Sequence, residues 1–401
     1  MPPAPGSLTA QEAVRRAVEH SPSIQAALRE ALAMESGVRA ARALANPEIT
    51  VAPGFTKAGS DEELLVRQPL EINGTRAARA GVASARARAA KAEAVRELRE
   101  TVYRTKHAYY GLARARERLA LTGDLSKSAD ELDAYAARQV ELGSRPGVER
   151  TQTRIEAARA RQQLERARAD HADAQTRLNV LMGLPGDAPL SLADMAVTRQ
   201  EIDEDALLRA ALPSRAEFAV SEANRQAYLQ EARLARAEGL PDIAPHFRAE
   251  SVSREPREGG FGIGISIPIF DHGGRRNRIR QAEESARAQE QRSLALWDQV
   301  RMEVQQAVAR LRAAERIVAS YQNGLLDDSR RLLESSRTGF RLGQTNVVSL
   351  LEAQRTYRAV QTEYIDALAD HEQALAEIER AAGSVPESQL PPLRHPEAKP
   401  R

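Results

Sequence analysis

FGIGISIPIFDHGG, residues Phe261–Gly274, differs in kind from the sequence around it. Ile263, Ile265, Ile267 and Ile269 alternate with Gly262, Gly264, Ser266 and Pro268. In a strand, successive side chains point to opposite faces, so one face is greasy and the other nearly bare. A strand is therefore predicted over residues 261–270. About ten residues reach ~33 Å, or ~25 Å when tilted, which matches the apolar band of a membrane barrel. In that setting the isoleucines face lipid and the small residues face a lumen. The competing assignment is a soluble hairpin with a buried isoleucine face.

The surroundings of this strand bear on the choice. Only 4% of the 401 residues are aromatic, so a thick globular core that could cover the isoleucines is not expected. Charged residues make up 28% of the chain and nearly cancel to a net +2, which gives no global field for a nucleic acid or a membrane surface. There is no cysteine, which excludes disulfides, thiolate metal sites and an acylated cysteine in this sequence. No apolar run approaches the roughly 18 residues of a spanning helix. The start, MPPAPGSLTA, has neither a basic nor an apolar export region. Two expectations follow: a cytoplasmic protein, or an exported one whose signal peptide is missing from the chain.

The same kind of stretch occurs twice. QPLEINGTRAAR (68–79) lines up with IPIFDHGGRRNR (267–278), and ELGSRPGVERTQTR (141–154) lines up with RLGQTNVVSLLEAQR (341–355), both about two hundred positions apart. ANPEI (45–49) likewise answers LPDIA (240–244). The expected organisation is two repeats, 8–182 and 206–383, joined by a linker at 183–205 and followed by a mobile proline-rich tail at 384–401. Each repeat reads as helix, β-hairpin (48–72 and 242–270) and long helical hairpin, with tips near 143–149 and 343–349. The expected helices run from about Thr9 to Leu44, Thr75 to Val140, Glu217 to Glu238 and Arg275 to Phe340. A stretch of some 66 helical residues spans ~100 Å. Val300, Val304, Val308 and Leu311 mark a packed seam within the last of these.

Four strands cannot close on themselves. Bacterial barrels begin at eight strands, and eight are filled by their own side chains. Three copies of this chain supply twelve, the first count that leaves a bore. The predicted fold class is thus mostly α with β, a trimer forming a 12-stranded outer-membrane β-barrel continued by a long α-helical barrel.

On ISIPIFDHGGRRNRIRQAE at the strand-to-helix junction, GFRLGQTNVVSLLEAQRTY at the second tip and the duplicated plan, the chain resembles TolC-type outer-membrane efflux channels over roughly Leu8 to Gly383. The resemblance implies a homotrimer in the cell outer membrane with a periplasmic extension, made from an exported precursor. It implies docking to a periplasmic membrane-fusion adaptor and an inner-membrane transporter, most often of the RND type, and a passive exit duct for an efflux or type I secretion system. It places the periplasmic aperture at Glu149, Arg150, Ser349 and Glu352, with Arg341 as a second basic candidate. It places the adaptor-contact tip at Leu142, Gly143, Val148, Leu342, Gly343 and Val348. Ser349 departs from the family's carboxylate, and Thr345 stands where the best-known member has arginine, so the closing network is expected to differ. Ordinary solvated charges and a helix-terminating glycine are the plainer accounts of these residues.

No chemistry-bearing constellation competes with this. The histidines lack helical pair spacing, GFGIGIS has no following Lys-Ser/Thr, and no catalytic triad or carboxylate pair can be read, so no enzyme, cofactor or metal site is expected. The rival from another class is a soluble coiled-coil scaffold. Nucleic-acid binding is not expected, because Thr75 to Leu121 is basic without interleaved stacking aromatics.

Overall fold

The computed structural model describes residues 7–56, 59–195, 197, 202–250 and 258–383. Residues 57–58 and 251–257 of the hairpin links, part of the linker and the whole tail 384–401 lie outside the described residues. The chain is mostly helical with one antiparallel sheet. It divides into two compact units, one of Met1–Ile24, Leu98–Ser214 and Val300–Arg401, the other of Gln25–Glu97 and Arg215–Gln299. Each unit takes segments from both halves of the sequence.

The second unit holds the sheet. β1 (Glu48–Thr56), β2 (Gly59–Arg67), β3 (Asp242–Glu250) and β4 (Glu258–Ser266) lie in that order, each antiparallel to its neighbour. The register pairs Ile49 with Val66, Val51 with Leu64, Val66 with Phe247, Phe247 with Phe261, Pro245 with Ile263 and Ile243 with Ile265. Directly opposed residues share a face, so one face is apolar across all four strands. It is also bare: Phe261 is 90% exposed, Ile263 71% and Ile49 67%. The other face carries Glu48, Glu63, Arg67, His246 and Arg248, with cross-strand ion pairs Arg67–Glu48 at 3.7 Å and Arg248–Glu63 at 3.0 Å. A Cβ at Gly262 would stand 2.8 Å from the His246 ring. Part of the glycine alternation therefore makes room for an imidazole on the neighbouring strand.

β4 spans 258–266, not the expected 261–270, so Ile267 and Ile269 lie beyond its end on an exposed segment. The cause is the partner strand. β3 begins at Asp242, paired with Ser266, and Pro241 before it has no N–H to extend the ladder. β2 similarly ends at Arg67, although Gln68 and Leu70 still donate to Pro245 and Ile243.

The helices differ from expectation in two places. The first breaks into α1 (Ala10–His20) and α2 (Pro22–Arg42), with Ser21 extended at ψ 116°, because a residue before proline avoids the helical region. α1 starts on a capping box in which Thr9 and Glu12 exchange hydrogen bonds. α3 runs unbroken from Thr75 to Glu141, and α4 (Gly147–Leu181), α5 (Glu204–Ser214) and α6 (Ala216–Ala237) follow. The helix expected over 275–340 is α7 (Gly274–Ser320), a π-helical turn (Tyr321–Leu325) and α8 (Leu326–Arg341), before α9 (Val347–Ala382). The break is at Gly324, φ 127°, a conformation open to glycine alone.

In the first unit the predicted seam is buried, Val300, Val304, Val308 and Leu311 being 1–2% exposed. Tyr109, Leu112, Leu178 and Met182 cluster with Leu8 and Leu192, each large apolar side chain contributing roughly 1.5–3 kcal/mol. Leu8 also bridges Leu192 in parallel, and the Tyr109 hydroxyl donates to the Leu8 carbonyl at 2.8 Å.

Candidate functional site: the two helical tips

Both helical hairpins of the first unit turn on the same backbone. Gly143 (φ 69°) and Gly343 (φ 74°) donate to Val140 and Phe340, and the next residues, Ser144 and Gln344, donate to Gln139 and Gly339. This is the Schellman stop, which satisfies the last carbonyls of a helix and needs a left-handed residue after it. Glycine at both tips thus has a local cause. The apolar residues beside it do not: Leu142, Val148, Leu342 and Val348 are 55–74% exposed.

The chemistry of the tips diverges after the stop. At the first, the Arg145 guanidinium donates to Glu149 Oε2 at 3.0 Å and to the Phe340 carbonyl at 2.8 Å, and lies 4.0 Å from the centre of the Phe340 ring. The Arg145 and Glu149 side chains are only 13% and 14% exposed, so the pair is shielded from water. One side chain therefore ties the start of α4 to the end of α8. At the second tip no charge takes that place. The Thr345 side chain packs against Gly339, where a Cβ would lie 3.0 Å from its methyl group, and its buried hydroxyl has no partner. Asn346 caps α9 by accepting from the Ser349 N–H at 2.9 Å, and the Ser349 hydroxyl returns a bond to the same oxygen.

The partner of Glu149 is therefore Arg145. Arg150 is exposed and forms no ion pair among the described residues, and neither does Arg341. Arg145 precedes Pro146 and the first turn of α4, so helical spacing did not mark it, and only the packed tip brings it to Glu149. Glu352 is exposed and lies 3.6 Å from Arg355. Arg355 and Arg358 of α9 both reach Glu156 of α4, which is 13% exposed. Beneath the second tip, Leu333, Phe340, Val347, Leu350 and Leu351 form a core with Leu132, Tyr135 and Tyr357 packed on it.

Among the described residues no group of three or more His, Asp or Glu side chains is placed to hold a metal ion, and no helix is long and apolar enough to cross a membrane. The family model for the outer membrane efflux protein matches residues 13–184 and 207–384, most of the chain. The chain belongs to the outer membrane efflux protein family. Its work is that of an outer-membrane channel in an export system rather than of an enzyme. Two relatives bear out the membership along nearly the whole length. The cobalt-zinc-cadmium resistance protein CzcC of Cupriavidus metallidurans is 26% identical over 95% of this chain and 91% of its own. Protein CyaE of Bordetella pertussis is 28% identical over 88% and 79%. The crystal structure of the outer membrane protein VceC of Vibrio cholerae superposes with a TM-score of 0.79 over 93% of this chain and 96% of that one, at 16% identity, and so shares its fold.

Proposed function

We propose that this chain assembles as a homotrimer in which three four-stranded sheets close into a twelve-stranded outer-membrane barrel, continued by a helical duct that docks on a periplasmic adaptor and an inner-membrane pump. The observation that carries this is the two-faced sheet. Its apolar face is bare, its polar face holds ion pairs, and β1 and β4 are left as edges. Lipid suits the first face, water the second, and strands of neighbouring copies the edges. Within the first unit, a groove of ≈ 1210 Å³ is lined by Ala108, Gly111 and Ala115 of α3 and Ala167 and Ala174 of α4, interspersed with charged residues such as Arg114, Arg118, Asp170 and Arg177. Small residues at helical spacing suit the close approach of a helix from a second copy.

The exposed Leu142, Val148, Leu342 and Val348 form the adaptor-contact surface, with Gly143 and Gly343 setting its turns. Glu149, Ser349 and Glu352 lie at the mouth of the duct, and the Arg145 bridge between α4 and α8 holds that mouth shut. The duct is passive, so the pump supplies the energy and the choice of cargo. The likeness to a cobalt-zinc-cadmium resistance protein makes those cations the first cargo to test in growth assays. Supplied with an export signal, the protein is expected in the outer-membrane fraction with the native mass of a trimer. Ile265→Arg, which costs roughly 2–4 kcal/mol at mid-bilayer, should deplete the trimer, and Ser266→Asn should leave it intact. A soluble monomer after export would defeat the proposal, and equal loss in both variants would defeat the assignment of the faces.

A further inference from the structure

The interval from Gly273 to Gly343 is one residue longer than the interval from Gly74 to Gly143. In a continuous helix one extra residue turns everything beyond it by about 100°, which would carry the second tip out of phase with the first. The burial pattern locates the excess. The buried positions Thr101, Thr105, Tyr109 and Leu112 of α3 correspond to the buried Val300, Val304, Val308 and Leu311 of α7 at an offset of 199. Nearer the tip, Ala129 corresponds to Ser329 at an offset of 200, as do the two stops. The register changes between Leu311 and Ser329, where the π-helical turn Tyr321–Leu325 lies. There the Leu326 N–H donates to the Tyr321 carbonyl five residues back rather than four, around the left-handed Gly324, so one extra residue is accommodated in the turn.

This turn is built to move. None of its residues is buried, and Asn323 and Gly324 leave helical geometry, whereas α3 runs straight through its own glycine, Gly123. The Tyr321 hydroxyl donates to Glu363 at 2.7 Å and the Gln322 amide to the Tyr364 hydroxyl at 3.2 Å, which pins the turn to α9. Beside it lies an open pocket of ≈ 460 Å³ lined by Met195, Val197, Glu315, Ala319, Gln322, Asn323, Tyr364 and Leu368. One oxygen of Glu315 is buried without a partner. Below the turn, α8 is fixed to α9 by the Leu333–Phe340 core.

We propose that the π-helical turn Tyr321–Leu325 absorbs a one-residue insertion and serves as the pivot on which α8 and its tip swing relative to α7. The proposal rests on the gated mouth described above and names its moving part. Because the chain lacks cysteine, spin labels can be placed at will in the full, exported protein, diluted with unlabelled copies. A label pair at Arg316 and Arg330 spans the turn, and a pair at Ala120 and Ala134 spans Gly123 at the same separation, about 21 Å along a straight helix. The first pair should give the broader distance distribution. Deleting Asn323 should narrow it to the width of the second, preserve the native mass and lower the open probability of the reconstituted channel. Deleting Ala313, where no residue is looped out, should abolish assembly. Equal widths in the parent protein would overturn the pivot, and loss of assembly on deleting Asn323 would overturn the insertion. Narrowing with unchanged conductance would uphold the pivot and sink the gated mouth.

Discussion

At the first tip a guanidinium stacks on an aromatic ring and bonds a carboxylate and a carbonyl, while at the second a threonine hydroxyl is buried with nothing to bond. The backbones around them are alike, both ending in a Schellman stop at glycine. Backbone geometry and side-chain chemistry have thus separated. The turn is set by hydrogen bonds that need only glycine at one place, which leaves every other residue free to differ. The first tip reaches out to its neighbour through Arg145, and the second supplies the core, through Phe340, on which that contact rests.

Removing that core should separate the two tips most sharply. Phe340 is 1% exposed, so Phe340→Ala should destabilise the tip by about 3–5 kcal/mol. Val140→Ala, at the matching position of the half-buried first tip, should cost under about 1 kcal/mol. Hydrogen exchange at the amides of 329–350 would report the difference, and equal protection loss in the two variants would mean that the tips share one core. A smaller effect is expected for the bridge. Arg145→Ala leaves Glu149 shielded and unpaired at a cost of about 1–3 kcal/mol and should raise channel open probability. Arg150→Ala and Thr345→Ala should change neither quantity measurably. If Arg150→Ala opens the channel as much as Arg145→Ala, the bridge is not the lock.

The smallest effect concerns the π-turn that only the second hairpin has. The hydrogen bond to Glu363 raises the Tyr321 hydroxyl pKa to about 12, against about 10 in an unfolded chain. The folded state therefore holds this proton more tightly, and the stabilisation is complete below pH ~10 and lost as pH rises from there towards 12. Burial also raises the pKa of Tyr103, Tyr109 and Tyr110, so an alkaline titration of stability should show a loss in both proteins that is smaller in Tyr321→Phe than in the parent. A parent curve identical to that of Tyr321→Phe would show that the pin does not hold the turn.

Strand and tip positions were legible because they depend on local rules. Ile/Gly alternation marks a two-faced strand, and Leu-Gly after a long helical run marks its stop. The ends of β4 were not legible, because a strand lasts only as long as its partner, and the start of β3 lies some twenty residues away in the chain. The break before Pro22 depends on a local rule of the same kind, since a residue before proline avoids the helical region.

The sequence by itself determined the order of the strands and long helices, that one sheet face is apolar, and that no thiol chemistry is available. Those properties follow from residue type and period, which the chain carries along its own length. The tertiary structure alone decided that Arg145 rather than Arg150 meets Glu149, that Gly262 yields to His246, and that the extra residue of the second hairpin is looped out at Tyr321–Leu325. Each of these depends on which side chain stands opposite, across a helix pair or a strand pair, and that distance is fixed only when the elements pack.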